Sequence, residues 1–282
     1  MIMLTRSSNI SKSSISPDLQ KVFDNHSKVF DTPKGLPTIR DHDHAIHLIP
    51  RSVPPNIWPY RYPYVQKSEI EHMIAEMFEA GIIQPSQISF STPLVLVHKK
   101  DGSWCMCPDY KELNKLTIKD KFPIPVIDEL LDELHGVIYF TKLDLSSGYH
   151  QIRMKTEDIL KTTFQIHEGH YEFLVMPFGL TNAPSTFQGL RNSIFKPFLR
   201  KFVLVFFYDI LIYNRSWKDH VQHVDRVLKL LQEKQLYAKT SKCFFGVQEV
   251  EYLGHIISQE GVKVDPNKIK AVKEWKVPTT IK

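Results

Sequence analysis

Apolar residues between positions 70 and 78 recur every three or four residues, which predicts an amphipathic helix. Ser68 and Glu71 form a capping box, and this pattern predicts that the helix begins there. Gly81 predicts its end, and Pro85 prevents the helix from starting again. The chain therefore has a clear helix after a long stretch with no strong periodicity.

The remaining pattern alternates between helical and strand-like spacing. Helices are predicted over residues 126–134, 182–199 and 216–236, and from residue 266 onward. Strands are predicted over residues 94–98, 137–145, 149–154, 162–166, 171–175, 202–207 and 210–213, and near 250–258. Helices mixed with mostly antiparallel strands predict an α+β fold, with helices on one side of a sheet.

The first part of the chain lacks such a pattern, and we interpret residues 1–57 as a leader or linker. The start of the chain, Met1 to Ser16, is rich in serine and contains no apolar run, so it does not resemble a signal peptide. The most apolar run, Phe202 to Tyr213, has about 12 residues, includes Asp209, and is too short to cross a bilayer. We therefore expect a soluble protein with no membrane partner.

Composition narrows the class of protein without fixing its function. Hydrophobic residues make up 42% of the 282 residues and charged residues 24%, which excludes a disordered or collagen-like chain. The net charge of +5 permits a polyanionic partner. Cys105, Cys107 and Cys243 are odd in number and lack the spacing of a zinc pair, which favours reduced thiols in an intracellular protein.

Two aspartates stand out as candidate metal ligands. Asp144 ends a predicted strand, where, taken alone, an aspartate that forms a turn is the better explanation. Asp209 lies inside the most apolar stretch of the chain, where a carboxylate needs a turn, a partner or a metal ion. Two acids at neighbouring strand ends can share divalent cations that assist phosphoryl transfer.

Residues 178–188 form a second candidate site before a predicted helix. Gly179 allows another backbone to approach closely. Thr181 or Asn182 can cap the helix that Pro184 opens, and a plain helix start explains the same residues.

A third candidate is the loop that begins with Lys99 and Lys100 and contains Gly102. Two lysines and a glycine between strands suit a bound triphosphate. Taken alone, a solvated hairpin tip is the better explanation of this loop.

The order and spacing of these blocks resemble the reverse transcriptase domain of gypsy-type LTR retrotransposon Pol polyproteins. The resemblance covers roughly residues 20–280. Its motifs are Lys99 to Trp104, Asp109 to Asn114, Leu143 to Ile152, Gly169 to Pro184, Asp209 to Tyr213 and Tyr252 to His255.

The resemblance implies an RNA-directed DNA polymerase shaped like a right hand. Residues 58–119 and 152–176 would form the fingers, residues 120–151 and 177–257 the palm, and residues 258–282 the start of a truncated thumb. The implied cofactor is Mg²⁺ or Mn²⁺, and the implied partners are an RNA template, a DNA primer and deoxynucleoside triphosphates. The parent element would act in the cytoplasm or in virus-like particles, and the oligomeric state stays open.

The resemblance also implies three groups of site residues. The metal ligands would be Asp144 and Asp209. The nucleotide would contact Lys99, Lys100, Tyr149, Phe178 and Gly179. The template and primer would contact Asn182, Pro184, Gln188, Leu253, Gly254 and His255.

The chain departs from the family at its palm hairpin. The family motif Tyr-x-Asp-Asp falls on Phe206 to Asp209, so Tyr208 stands where the family has its first aspartate. The residues after it match without a gap, and a one-residue slip would turn every hairpin side chain to the wrong face. A tyrosine hydroxyl has a pKa near 10 and the ring is bulky, so we expect weakened metal binding.

Two further departures concern Cys105 and the end of the chain. Cys105 stands where the family has an arginine that binds the triphosphate, and cysteine has no fork of donors. The chain ends at Lys282, early in the expected thumb. We therefore predict a decayed copy with weak or absent polymerase activity. Alternatives are a silent remnant that only binds primer and template, or a fragment without a biochemical role.

Overall fold

The computed structural model of the chain describes residues 15–88, 90–98, 102, 104–123 and 126–275. The helices are α1 (Pro17–Asn25), α2 (Tyr64–Glu79), α3 (Lys111–Leu116), α4 (Ile127–Asp132), α5 (Ala183–Phe195), α6 (Trp217–Glu233) and α7 (Pro266–Lys273). The first strands are β1 (Ile83–Pro85), β2 (Leu94–His98), β3 (Trp104–Pro108), β4 (Tyr139–Asp144), β5 (Phe164–Ile166) and β6 (Gly169–Phe173). The later strands are β7 (Val203–Phe206), β8 (Asp209–Asn214), β9 (Phe244–Val247), β10 (Glu249–Tyr252), β11 (His255–Ser258) and β12 (Gly261–Val264).

The central sheet has the strand order β7-β8-β4-β9, and all its neighbouring strands are antiparallel. Its side chains alternate between two faces, as the pleat of a strand requires. One face packs Leu143 and Ile210 against the helices, including Phe187 of α5 and Val224 of α6. This arrangement confirms the predicted α+β fold with long helices on one side of a sheet.

The opposite face of this sheet is also covered, which the sequence did not predict. Phe140 and Leu211 pack there against Leu130 of α4 and against Val250 and Tyr252 of β10. The small sheet β10-β11-β12 therefore closes the second face of the central sheet. Both faces of the sheet that carries Asp209 are therefore covered by buried side chains.

A second unit contains the sheet β1-β6-β5 and the hairpin β2-β3. Helix α2 contributes Ile70 and Ile74 to a core that includes Ile83, Leu94 and Phe164. Strand β2 occupies the predicted residues, and β5 and β6 form the predicted antiparallel hairpin. The core of this second unit therefore contains apolar residues that the sequence pattern predicts to face inward.

Helix α1 lies in the region that shows no strong periodicity. Ser16 caps it by accepting the Leu19 backbone N–H at 3.4 Å. Leu19 and Val22 are buried in the same core as α6, and the ring centroid of Phe23 lies 4.3 Å from that of Phe245. Residues 17–25 thus contribute to the main core, while the proposed boundaries between the leader, fingers, palm and thumb stay predictions.

One predicted helix start is wrong, and one predicted helix cap is absent. Helix α2 begins at Tyr64, four residues before Ser68, because the extended backbone of Pro63 leads directly into its first turn. Asn182 precedes α5 but its side chain does not cap it. Its amide instead donates to the Ile118 carbonyl at 2.8 Å and accepts the Asp120 N–H at 3.0 Å.

The predicted strand over residues 149–154 is also wrong. Residues Gly148–Gln151 form a turn of 3₁₀ helix. The buried Gln151 side chain donates to the Ser146 carbonyl at 2.6 Å and accepts the Tyr237 N–H at 2.8 Å. Within the predicted range, strand-like pairing is confined to residues 152–154, where Arg153 forms an isolated antiparallel bridge with Val175. Among the described residues, no helix combines the length and apolar character needed to cross a membrane.

Candidate active site

The ends of two central strands bring Asp144 and Asp209 together. Asp144 is the last residue of β4, Asp209 is the first residue of β8, and the two lie directly opposite in the antiparallel register. Directly opposed Cβ atoms are about 4.5–5.5 Å apart. The register therefore forms the carboxylate pair that the sequence predicts at neighbouring strand ends.

Each carboxylate faces a lysine. Lys142 Nζ lies 3.1 Å from Asp209 Oδ2, and Lys242 Nζ lies 3.7 Å from Asp144 Oδ2. Burial raises the pKa of the Asp144 carboxyl, the charge of Asp209 raises it further, and the two lysines act in the opposite direction. The site thus contains two ammonium groups beside two carboxylates.

Sequence reasoning missed both lysines, although one of them leaves a signal. Lys142 precedes Asp144 by two residues on β4, so the two side chains share a face of the strand. Lys242 lies about a hundred positions away along the chain and reaches the site through the tertiary fold. The alternation of side chains along a strand can therefore predict that Lys142 lies near Asp144, but it cannot predict the position of Lys242.

The hairpin turn between β7 and β8 is held by helix α5. Phe207 has a positive φ of 43°, which is uncommon for a bulky residue. Its N–H donates to Gln188 Oε1 at 3.0 Å, and Gln188 Nε2 donates to the Val205 carbonyl at 3.1 Å. The buried Gln188 side chain therefore fixes the conformation of the turn that carries Tyr208.

Tyr208 packs into an aromatic cluster beside the carboxylates. Its ring centroid lies 5.2 Å from that of Tyr149 and 5.6 Å from that of Phe187. Burial raises the pKa of the Tyr208 hydroxyl well above its usual value of 10, and the hydrogen bond that it donates to Tyr149 raises it further. The hydroxyl is therefore neutral and already bonded, so it supplies no anionic oxygen.

A cleft of about 1120 Å³ connects these residues. Its walls include Asp144, Tyr208 and Asp209 together with Phe178 and Leu253. The structure thus gathers residues predicted to contact the metal, the nucleotide and the primer around one space. Cys105 also lines this cleft.

Five residues are predicted to contact the nucleotide, and the structure describes three of them. Lys99 and Lys100 lie outside the described residues. Tyr149 is buried, and its ring centroid lies 5.0 Å from that of Phe178. Gly179 has a φ of +95°, and an added Cβ would lie 3.3 Å from the Pro108 carbonyl oxygen. Position 179 therefore favours glycine, because its positive φ and the nearby Pro108 carbonyl leave little room for a Cβ.

The residues predicted for template and primer divide between two surfaces. Asn182 lines a separate groove of about 530 Å³, and Pro184 lies in the first turn of α5. Gly254 has a φ of +80°, and an added Cβ would collide with Lys268 Nζ. His255 Nδ1 donates to the Leu253 carbonyl at 3.2 Å. Leu253 is therefore the member of the primer group that the structure places in the main cleft.

The donor set at the cleft does not fit two closely spaced divalent ions. Such ions lie about 3.5–4 Å apart and need several anionic oxygens between them. Here two carboxylates face two lysines, and the third position is a neutral phenol. In the described part of the chain, the one group of three potential metal ligands is Glu71, His167 and Glu168, on the exposed surface.

The central antiparallel sheet thus carries a carboxylate pair at the hairpin between β7 and β8. Residues 97–257, more than half of the chain, match the family model described as Reverse transcriptase (RNA-dependent DNA polymerase). The chain therefore belongs to the reverse transcriptase family, which confirms the resemblance inferred from its motifs.

The most informative relatives are Pol polyproteins of transposons. The chain is 41% identical over 230 residues to the Retrovirus-related Pol polyprotein from transposon 297 of Drosophila melanogaster, covering 79% of this chain and 22% of that protein. It is 34% identical over 275 residues to the Transposon Tf2-3 polyprotein of Schizosaccharomyces pombe, covering 98% of this chain and 21% of that protein. The chain thus spans about a fifth of these relatives.

Solved structures show the same fold. The foamy viral protease-reverse transcriptase in complex with an RNA/DNA hybrid superposes with a TM-score of 0.82 at 21% identity. The match covers 95% of this chain and 36% of that chain. The arrangement of helices and antiparallel sheets is therefore that of a reverse transcriptase.

Proposed function

We propose that this reverse transcriptase domain of a gypsy-type retrotransposon Pol polyprotein has weak or absent nucleotidyl transfer. The observation that carries the proposal is Tyr208, whose neutral hydroxyl bonds to Tyr149 at the hairpin position of a family carboxylate. Asp209 remains, but it is paired with Lys142. A hairpin with one free carboxylate fewer holds divalent cations less tightly.

The proposed cofactor is Mg²⁺ or Mn²⁺ bound weakly by Asp144 and Asp209. If bound, such an ion would be held by Asp144 and Asp209 and would supply charge stabilisation for a phosphoryl displacement. Lys142 and Lys242 compete for the same carboxylates, because a cation that binds must displace or repel them. This competition is consistent both with a domain that has no nucleotidyl transfer activity and with one that has only weak activity.

The proposed partners are an RNA template, a DNA primer and deoxynucleoside triphosphates. The foamy viral relatives were solved with an RNA/DNA hybrid and with double-stranded DNA. In this chain, we propose that Tyr149, Phe178 and Gly179 contact the nucleotide, together with Lys99 and Lys100.

The proposed template and primer contacts come from two groups of residues. They are Asn182, Pro184, Leu253, Gly254 and His255. We assign Gln188 a positioning role, because its buried side chain bonds to the hairpin.

The proposal is tested by measuring binding and chemistry on the same preparation. An RNA–DNA hybrid with a recessed primer is titrated with the chain at several salt concentrations, and primer extension with Mg²⁺ or Mn²⁺ is then recorded. Asp144→Asn serves as the matched control, since it removes a carboxylate with almost no change in size. We expect salt-dependent binding by both proteins.

Extension by the native chain should lie within about tenfold of the Asp144→Asn background. Rapid extension that depends on Asp144 would contradict the proposed impairment. Absence of salt-dependent hybrid binding would contradict the proposed partners and would favour a fragment without a biochemical role.

A further inference from the structure

Arg191 is a charged side chain buried beneath the active-site hairpin. It lies on α5, one turn after Phe187, and its side chain is fully buried. Its guanidinium carbon sits 4.3 Å from the Phe187 ring centroid, and its Nη2 donates to Gln188 Oε1 at 3.2 Å. A position four residues after Phe187 faces the core, so helical periodicity could have identified it.

The remaining donors of Arg191 are not satisfied. Nε and Nη1 have no hydrogen-bond partner among the residues that the structure describes. Burial lowers the pKa of Arg191 to about 9, and the nearby groups of Tyr252 and Asp209 partly oppose this effect. The guanidinium therefore remains charged near neutral pH, and an unpaired buried charge is costly.

Two contacts connect this charge with position 208. Phe187 packs against the Arg191 guanidinium and also against the Tyr208 ring. Gln188 Oε1 accepts both from Arg191 Nη2 and from the N–H of Phe207, the residue before Tyr208. Arg191 also interacts electrostatically with Tyr208 and Asp209. The hairpin turn is thus linked to a buried cation through the side chains of Phe187 and Gln188.

We propose that Arg191 pairs with any carboxylate placed at position 208, so that the Tyr208→Asp reversion alone does not create a free metal ligand. This inference rests on the proposed function, because it treats Tyr208 as the change that removes a metal ligand and Arg191 as the buried cation that would pair with the restored carboxylate. A carboxylate in this half-buried place gains more from a buried guanidinium than from solvent, since the local dielectric is low. Restoring the site then requires neutralising Arg191 as well.

The test is a double-mutant cycle on thermal stability in the presence of EDTA, which needs neither metal nor activity. Arg191→Met is introduced into the chain as given and into the Tyr208→Asp and Tyr208→Asn backgrounds. In the native chain and with Tyr208→Asn, Arg191→Met should raise Tm, because it removes two unsatisfied buried donors. With Tyr208→Asp it should lower Tm, because it breaks a buried pair.

Two matched measurements complete the experiment. Arg191→Lys keeps the charge, so it should stabilise the Tyr208→Asp background relative to Arg191→Met. Mn²⁺ titration followed by electron paramagnetic resonance should show little gain in affinity for Tyr208→Asp alone. The double variant Tyr208→Asp with Arg191→Met should bind Mn²⁺ at least about tenfold more tightly than that single variant.

The inference is overturned if Arg191→Met shifts Tm equally in the Tyr208→Asp and Tyr208→Asn backgrounds. It is also overturned if Tyr208→Asp alone binds Mn²⁺ as tightly as the double variant. Rapid primer extension by the native chain would instead contradict the proposed function and would leave the Tm cycle unchanged. The two failures are therefore distinguishable.

Discussion

His220 is a buried histidine that joins helix α6 to both strands of the carboxylate pair. Its Nε2 lies 2.8 Å from Thr141 Oγ1 on β4, and its Nδ1 lies 3.1 Å from Asn214 Oδ1 on β8. In the neutral ring that fits this network, Nδ1 donates to Asn214 and Nε2 accepts from Thr141. Protonation of the ring removes that acceptor inside the core.

The size of the effect follows from the shifted pKa. Burial lowers the pKa of His220 from 6.5 to about 3, and the nearby His223 contributes in the same direction. A histidine with a lowered folded pKa contributes stability above its unfolded pKa, and this contribution is lost as the pH falls below 6.5. Between about pH 7.5 and pH 5 the loss is about 2 kcal/mol.

The perturbation is His220→Gln, which is neutral at every pH. The measurement is the free energy of unfolding in urea at about pH 7.5 and about pH 5. At the higher pH the variant should be less stable by about 1–3 kcal/mol, because buried hydrogen bonds are lost. At the lower pH this deficit should shrink by about 2 kcal/mol.

The control is His135→Gln, which replaces an exposed histidine beyond helix α4. Its stability difference from the native chain should stay nearly constant over the same range. A deficit of His220→Gln that is equal at both pH values would refute the argument. That result would mean that the His220 ring charges without cost in the folded protein.

Two further predictions concern Gly148 and Asp144. Gly148→Ala should lower stability by about 1–3 kcal/mol, because its Cβ would lie 2.6 Å from Phe187 Cζ, whereas Gly169→Ala, whose Cβ meets nothing nearer than 3.9 Å, should not. Equal Tm values for these two variants would contradict the packing argument. Asp144→Asn should unfold at higher denaturant than the native chain at neutral pH, because the raised pKa of Asp144 shows that the fold disfavours its charge. This gain should disappear as the pH falls through that pKa, and a gain that grows with acidity would argue against it.

The apolar pattern predicts the fold well wherever a segment packs locally. Strand β2 matches its predicted residues, and the hairpin at position 208 follows from one long apolar run interrupted by an aspartate. Helix α1 was not predicted. Its three buried residues pack in one core with residues of α6, which lies about two hundred positions later in the chain. Distant packing of this kind leaves little trace in a local pattern.

The candidate site was predicted through its acids and aromatic residues and not through its cations. The pairing of Asp144 with Asp209 follows from two strand ends, and the register confirms it. Lys242 and Arg191 reach the site through tertiary structure, from a turn of 3₁₀ helix and from the buried face of α5. Their effect on the carboxylates depends on burial, which a sequence does not report.

The central claim is that the hairpin chemistry, and not the fold, limits this domain. The most direct measurement is Mg²⁺-dependent primer extension on an RNA template by four proteins of equal concentration. They are the native chain, Tyr208→Asp, Tyr208→Asp with Cys105→Arg, and the latter with Arg191→Met added. We predict no clear extension by the native chain and the largest rate for the last variant. Extension by the native chain at the rate of the last variant would contradict this claim.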